Sequence, residues 1–532
     1  MPLNASYDEK NVDLERSGSG SDFKHEPQVI VTEELGAGAA STENGVLGKM
    51  WHLVNVISKY GIEVRGIERV HPEEKSSPTM RDWLDNFWFW MAANCTISTL
   101  ALGTLGPSTF FLSGKISVLT IIFFNLLSTL PVAFFSIFGA KLGLRQMTIT
   151  RFSFGYWVAL FPTVLNIIAC IGWSTINTIV GAQTLKAVSQ THELPIAAGV
   201  VIIAVLTFFA PFFGYKVVHT YERYAWLPIA VIFFIILGLT VKFMDMGSVT
   251  ATGATGDVLS FGAAIFGFGI GWSSYAADYT VFMDNHAPSW KIFLLNYLGL
   301  NIPLILIESL GAGLATVKKE GFQEMFDSGG VGGLLGAALK PAGGFGKFCL
   351  VLAALSIVAN NIPNMYSCAL TFQVLGKFAQ MIPRVFLVLA GTVVYVILAI
   401  IGASHFDQWL DTLLVILSYW LAIYCSILLE EHFLFRKGKW SNYNVEDYAN
   451  PKRLPLGIAA AISLCIGIMG AVLGMATLWY VGVIGGKIGD PVFGGDIGFE
   501  LSWAFSATVY PILRYIERKF EAPERQGKVS KS

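Results

Sequence analysis

The chain has 532 residues, 54% of them hydrophobic and 14% charged, with a mean hydropathy of +0.58. That balance leaves too little polar surface for a single soluble globular domain and marks an integral membrane protein. With 36 Lys+Arg against 37 Asp+Glu the formal net charge is -1, so no long-range field of one sign is available to hold nucleic acid, and no such partner is expected.

Residues 1–85 are polar, include Ser17-Gly18-Ser19-Gly20-Ser21, and have no early apolar core of a cleavable signal peptide. They read as a cytosolic, largely disordered tail, with 46–64 as a short amphipathic segment beside the membrane. Apolar runs of about 20 residues, each enough to cross a bilayer, then follow closely. They fall near 86–111, 116–139, 156–186, 195–213, 224–243, 258–281, 291–316, 346–375, 384–402, 408–433, 454–477 and 494–516, which makes about twelve transmembrane helices and an all-α fold. The seventh contains Pro303 and Glu308. Residues 517–532 form a C-terminal tail.

Two spans are interrupted by glycine and proline: Gly103-Thr104-Leu105-Gly106-Pro107 in the first and Gly267-Phe268-Gly269-Ile270-Gly271-Trp272 in the sixth. Hydrocarbon cannot satisfy backbone groups released from a helix, so such breaks belong where they line a cavity or meet a solute. Glycine also serves close helix packing, but the matching positions favour a transporter with paired discontinuous helices. That implies an inverted pair of five-helix halves, 86–243 and 258–433, followed by two extra spans over 454–516. The glycine-rich stretches 329–336 and 482–498 read as extracellular loops or re-entrant edges, since no G-K-[ST] signature accompanies them.

Lys141, Arg145, Arg151, Lys216, Arg223, Arg436, Lys437, Lys439, Lys452 and Arg453 share one side with the N-terminal tail, which places both termini in the cytosol. Lys318, Lys319, Lys340 and Lys347 on the other side are diluted by acidic neighbours and a long glycine-rich loop. The six cysteines lie in apolar stretches without C-x-x-C spacing and read as small buried hydrophobes; the eight histidines form no ligand arrangement, so no metal is expected. No nucleophile, base and orienting group come together as in an enzyme active site.

Polar residues inside the spans mark the solute site. Trp173 and Asn177 share a helical face in the third span, and Trp272 with Ser273 adjoins the sixth-span break. Two indoles can stack on a planar ring while amides read its edge. In the eighth span Asn360, Asn361 and Asn364 surround Pro363, a costly choice in lipid. Asn94, Cys95, Thr96, Ser98 and Thr99 approach the first break, with Ser98 nearest the pocket. Tryptophan also anchors membrane interfaces, asparagine also joins helices, and serine also bonds its own backbone. Mid-span position and clustering favour binding. Glu308 and Asp278 are the ionisable residues within or near the membrane; each reads as a proton carrier or as a paired interfacial residue.

Four long motifs carry a resemblance: 271–280 (Gly-Trp-Ser-Ser-Tyr-Ala-Ala-Asp-Tyr-Thr), 359–366 (Ala-Asn-Asn-Ile-Pro-Asn-Met-Tyr), 138–147 (Phe-Gly-Ala-Lys-Leu-Gly-Leu-Arg-Gln-Met) and 494–501 (Gly-Gly-Asp-Ile-Gly-Phe-Glu-Leu). They resemble the fungal purine-cytosine permeases of the nucleobase:cation symporter 1 family, over essentially everything after the tail. The resemblance implies a five-plus-five inverted repeat with two additional helices, alternating access, and proton-coupled import of cytosine, adenine, guanine and hypoxanthine at the plasma membrane, without an organic cofactor. It implies Trp173 and Trp272 bracketing the ring, Asn177 and Asn364 reading its edge, and Ser98 and Ser273 as auxiliary contacts. Sodium-coupled bacterial relatives place hydroxyls where this chain offers Val358 and Ala359, with Ser356 nearby; an oxygen-poor site suits a proton better. Family members that carry vitamin B6-like rings, allantoin or nucleosides, and a non-transporting sensor, are the alternatives. Oligomeric state is not legible in the sequence.

Overall fold

The computed structural model describes residues 48–50, 52–53, 66–75, 79–189, 194–209, 214–247, 255–489, 494–521 and 525. The readings made for 17–21 and for most of 46–64 fall outside these. Among the described residues the protein is built from helices, with two isolated β-bridges, Met244 to Val317 and Ala476 to Val481, and no strand. The main elements are α1 (Met80–Asn94), α2 (Ile97–Ser108), α3 (Gly114–Leu142), α4 (Leu160–Lys186), α5 (Ile196–Phe209), α6 (Gly214–Thr240) and α7 (Thr255–Gly271). They continue with α8 (Ser289–Ala315), α9 (Phe322–Leu339), α10 (Gly343–Val374), α11 (Arg384–Gly402), α12 (Phe406–Glu430), α13 (Ile458–Gly474) and α14 (Gly498–Phe520). Seven helical stretches among the described residues are long and apolar enough to cross a bilayer. Large apolar side chains such as Leu119, Phe123, Ile168, Leu306 and Ile397 face outward, as a hydrocarbon solvent allows.

The first and sixth spans are discontinuous, but not at the expected residues. The first breaks at Cys95–Thr96, between α1 and α2, where Thr96 is extended (φ -137°, ψ 163°). Gly103 and Gly106 lie inside α2, with Pro107 in its last turn. The sixth stays helical through Gly267 and Gly269 to Gly271, then passes into two 3-10 turns, Trp272–Ser274 and Ala276–Tyr279, separated by Tyr275 (φ -147°, ψ 15°). Pro363 likewise sits within continuous α10.

These glycines serve close approach. A Cβ on Gly103 would stand 1.8 Å from the Glu308 carbonyl oxygen in α8, and one on Gly311 2.0 Å from that of Leu100. Gly267 meets the Leu414 carbonyl at 2.0 Å in the same sense. Backbones in contact without a side chain between them are the packing mode that membrane helices favour.

Three further expectations change. The 329–336 stretch is not a loop: it belongs to α9, bent where Gly330 takes φ 57°. Cys465 is exposed on α13, whereas the other five cysteines are buried. The polar tail also ends sooner than residue 85, since α1 starts at Met80 and Gly66–Lys75 is already docked. In that strap Val70 N–H donates to the Gly143 carbonyl at 2.8 Å and Lys75 Nζ to the Ala140 carbonyl at 2.7 Å, both at the end of α3. Burial, with the nearby Arg69 charge, lowers the Lys75 ammonium to about 8.

Helix α8 packs on α1, α2 and α3, α10 packs on α4, and α7 lies between α3 and α12. The α13–α14 pair leans on α12. This arrangement brings both breaks against α10.

Candidate substrate-binding site

The break in α1 frees one rung of its ladder. Ala93 would accept from Ile97 in a continuous helix; instead the Ala93 carbonyl accepts from Asn360 Nδ2, and Ile97 N–H donates to Ser356 Oγ at 3.3 Å. Both partners come from α10. Ser356 Oγ gives its own proton to the Ala353 carbonyl at 2.6 Å. These two buried groups are thus paired by protein rather than left in hydrocarbon.

Beside that break a small cavity is lined by Trp173, Phe268, Gly271, Trp272, Tyr275, Asn360 and Asn364. Trp173 stands on α4, where Phe268 meets it edge-on with centroids 5.0 Å apart. Trp272 opens the first 3-10 turn and is held from two sides. Its Nε1 donates to Asn94 Oδ1 at 3.0 Å, and Trp90 packs edge-on against it at 5.2 Å. Asn94 donates in turn to the Trp90 carbonyl at 3.0 Å. The last residue of α1 therefore positions an indole across the broken pair.

The amides form a connected chain. Asn177 Nδ2 donates to Asn360 Oδ1 at 2.7 Å and to Asn361 Oδ1 at 2.8 Å. Asn364 Nδ2 donates to Asn360 Oδ1 at 3.2 Å, and the Tyr275 hydroxyl donates to Asn364 Oδ1 at 2.8 Å. Asn361 Nδ2 reaches Thr178 Oγ1 at 3.3 Å. All four asparagines are buried, and Asn177 Oδ1 has no partner among the described residues.

Trp173, Trp272 and Asn364 are brought together on the cavity, with Gly271 beside them. Asn177 stands one hydrogen bond behind it, through Asn360. Ser273 turns away from the cavity, where its Oγ accepts from Cys425 Sγ at 3.4 Å. Ser98 is buried in the first turn of α2, its Oγ without a partner among the described residues, and it does not line the cavity. Phe268 and Tyr275 do line it and were not singled out from the sequence. Their signal was position beside the glycine-rich turn.

The two ionisable residues are built differently. Asp278 is a clamp: Oδ1 accepts from Gln146 N–H at 2.8 Å, Oδ2 from Ser367 Oγ at 2.9 Å, and its carbonyl from Arg145 Nη1 at 2.6 Å. It ties the sixth-span break to the turn after α3 and to α10. Glu308 is fully buried on α8, where Asn125 Nδ2 donates to its Oε2 at 2.6 Å. Its Oε1 and Asn125 Oδ1 have no partner among the described residues. Among those residues there is no group of His, Cys, Asp and Glu fit to hold a metal ion.

Comparison with known proteins agrees with this architecture. The chain is 43% identical to the purine-cytosine permease fcyB of Emericella nidulans over 94% of this chain and 98% of that protein. It is 40% identical to the purine-cytosine permease FCY2 of Saccharomyces cerevisiae, over 96% and 97%. In fold it resembles Mhp1, a nucleobase-cation-symport-1 family transporter solved in a closed conformation with bromovinylhydantoin bound. The TM-score is 0.64 at 16% identity, covering 88% of this chain and 98% of that one. Residues 73–483 match the model of permeases for cytosine/purines, uracil, thiamine and allantoin, and the chain belongs to that family.

Proposed function

We propose that this permease imports cytosine and the purines adenine, guanine and hypoxanthine across the plasma membrane together with a proton, by alternating access. The observation that carries this reading is the cavity itself: two indoles and an asparagine chain converge beside two broken helices. A flat heterocycle stacks on Trp173 and Trp272 while Asn364, backed by Asn360 and Asn177, pairs with its edge. The base is neutral, so its uphill movement needs a coupled charge. One proton moving inward gains about 2.3 kcal/mol per 100 mV, equivalent to about 50-fold accumulation.

Support for a proton over sodium comes from the α1 break, where the freed Ala93 carbonyl is already taken by an amide N–H and Ser356 is engaged on both sides. Glu308 is the residue favoured to carry the proton, because among the described residues its partner is the neutral Asn125 amide, so no basic group is orphaned when its charge changes. Asp278 is favoured as a gate clamp. The topology that goes with this reading has cytosolic termini, repeats over 86–243 and 258–433, and the α13–α14 pair as an appendage.

The test is initial uptake of radiolabelled cytosine by cells lacking their own nucleobase importers, with and without a protonophore. Saturable uptake that is lost with the proton gradient and blocked by adenine and hypoxanthine is expected. Asn364→Ala at normal surface level should remove it. Normal saturable uptake by that variant would sink the binding assignment, and uptake indifferent to the protonophore would sink the coupling.

A further inference from the structure

The Glu308 carboxyl lies against α3, where Asn125 spends both of its N–H groups. One goes to the Ile121 carbonyl at 3.0 Å and the other to Glu308 Oε2 at 2.6 Å. A carbonyl only accepts, so Ile121 fixes which end of the amide is NH2, and that end meets the carboxyl. The other end, Asn125 Oδ1, points toward α7, since a methyl placed on Gly269 would stand 3.6 Å from it. The Glu308 main chain abuts Gly103 of α2. Carboxyl and amide therefore touch both interrupted spans.

Among the described residues no other charged side chain acts on this carboxyl. Helix α2 carries no charge, those of α1, α6, α7 and α9 fall in their opening turns (Asp85, Arg223, Asp257 and Glu324 among them), and α3 has Lys115 and Lys141 near its ends. A neutral carboxyl accepts better through its carbonyl oxygen than through its hydroxyl oxygen. Oε2, which faces the amide, is then the carbonyl, and a proton belongs on Oε1, which has no partner among the described residues. The same N–H stabilises an ionised carboxyl more than a neutral one.

We propose that Asn125 is a positioning residue for the coupled proton: its amide directs the proton to Glu308 Oε1 and eases its release. The inference rests on the reading of Glu308 as the proton carrier and deepens it by naming the group that sets when the proton leaves. Loading forms an O–H bond at Oε1 with a proton taken from water. Release breaks that bond, leaves the electron pair on the carboxylate and returns the proton to water.

The experiment measures uptake of radiolabelled cytosine into liposomes holding the full-length protein, under an imposed proton gradient, as a function of pH on the entry side. Asn125→Leu removes the donor and keeps the volume. Its pH profile should move by about one to two units toward higher pH, the worth of a hydrogen bond to a charged group, and its maximal rate should fall. Asn125→Ser, whose shorter side chain withdraws from Glu308 and can bond its own helix, should give the same shift and decides the matter if Asn125→Leu does not fold. In a Glu308→Gln background, where there is no proton to place, neither replacement should change uptake further. An unmoved profile in a folded variant, or an equal further loss of uptake in the Glu308→Gln background, overturns the inference and leaves the proton reading standing. Wild-type uptake indifferent to the proton gradient overturns both.

Discussion

Two polar centres are buried in this protein, and they are constructed on opposite plans. Around Asn360 nearly every donor and acceptor has a partner, and the partners are neutral amides, hydroxyls and carbonyls drawn from α1, α4, α10 and the sixth-span break. Around Glu308, among the described residues, there is one strong contact, from Asn125, while Glu308 Oε1 and Asn125 Oδ1 stay open. A satisfied neutral network can trade one hydrogen bond for another with a neutral solute at small net change, because each bond contributes only about 1 kcal/mol. A carboxyl with an unfilled oxygen is suited to gain and lose a proton instead. On the proposed function the first centre would serve recognition and the second coupling, and substitutions can test that separation.

The largest expected effect is at the carboxyl. Glu308→Gln keeps the shape and the Asn125 contact, so cytosine affinity of the purified protein should stay within about threefold, while the roughly 50-fold accumulation available per 100 mV falls to simple equilibration. A Glu308→Gln protein that still concentrates cytosine would break the comparison and return the proton to another group. Next come the indoles. Trp173→Ala and Trp272→Ala should each weaken equilibrium binding by about 1 to 3 kcal/mol, or about 5- to 150-fold, without altering protonophore sensitivity of the remaining uptake.

Trp272→Phe sharpens the point further. It retains a stacking face but loses the N–H bond to Asn94, so a loss of about 1 kcal/mol, near fivefold in Kd, is expected. The smallest effect lies outside both centres, in the strap. Lys75 is held near 8 when docked against an ordinary value of 10.5, so the docked strap binds fewer protons than the free one over that range. Docking is weakest below pH 8 and strengthens as pH rises toward 10.5. Protection of 66–75 from protease should be greater at pH 9 than at pH 7, and Lys75→Met should erase the difference.

Much of this was legible in the chain. Long apolar runs announce spans because hydrocarbon tolerates little else, and Trp173, Trp272 and Asn364 stood out because polar and aromatic groups at mid-span are costly choices. The breaks were misplaced because glycine that loosens a helix and glycine that lets another backbone approach look alike in sequence. Cys95–Thr96 contains neither glycine nor proline; its rung opens against Asn360 and Ser356, more than 250 positions away. Ser273 was chosen as the neighbour of Trp272, yet adjacent residues on a helical turn point in different directions. Tyr275 gave no signal of its own until a neighbouring helix brought Asn364 to its hydroxyl.

The glycine contacts bear on inheritance. Suppose cells carrying this gene are plated on a toxic base analogue and survivors are sequenced. Gly103, Gly311 and Gly267 abut main-chain oxygens, which cannot swing aside, so alanine alleles there should be recovered as proteins that never reach the surface. Gly271 is different, since the nearest atom to a methyl placed on it is Trp173 Nε1 at 3.6 Å. An alanine allele at that codon should yield a protein that is made and delivered in full, and that refuses the larger rings.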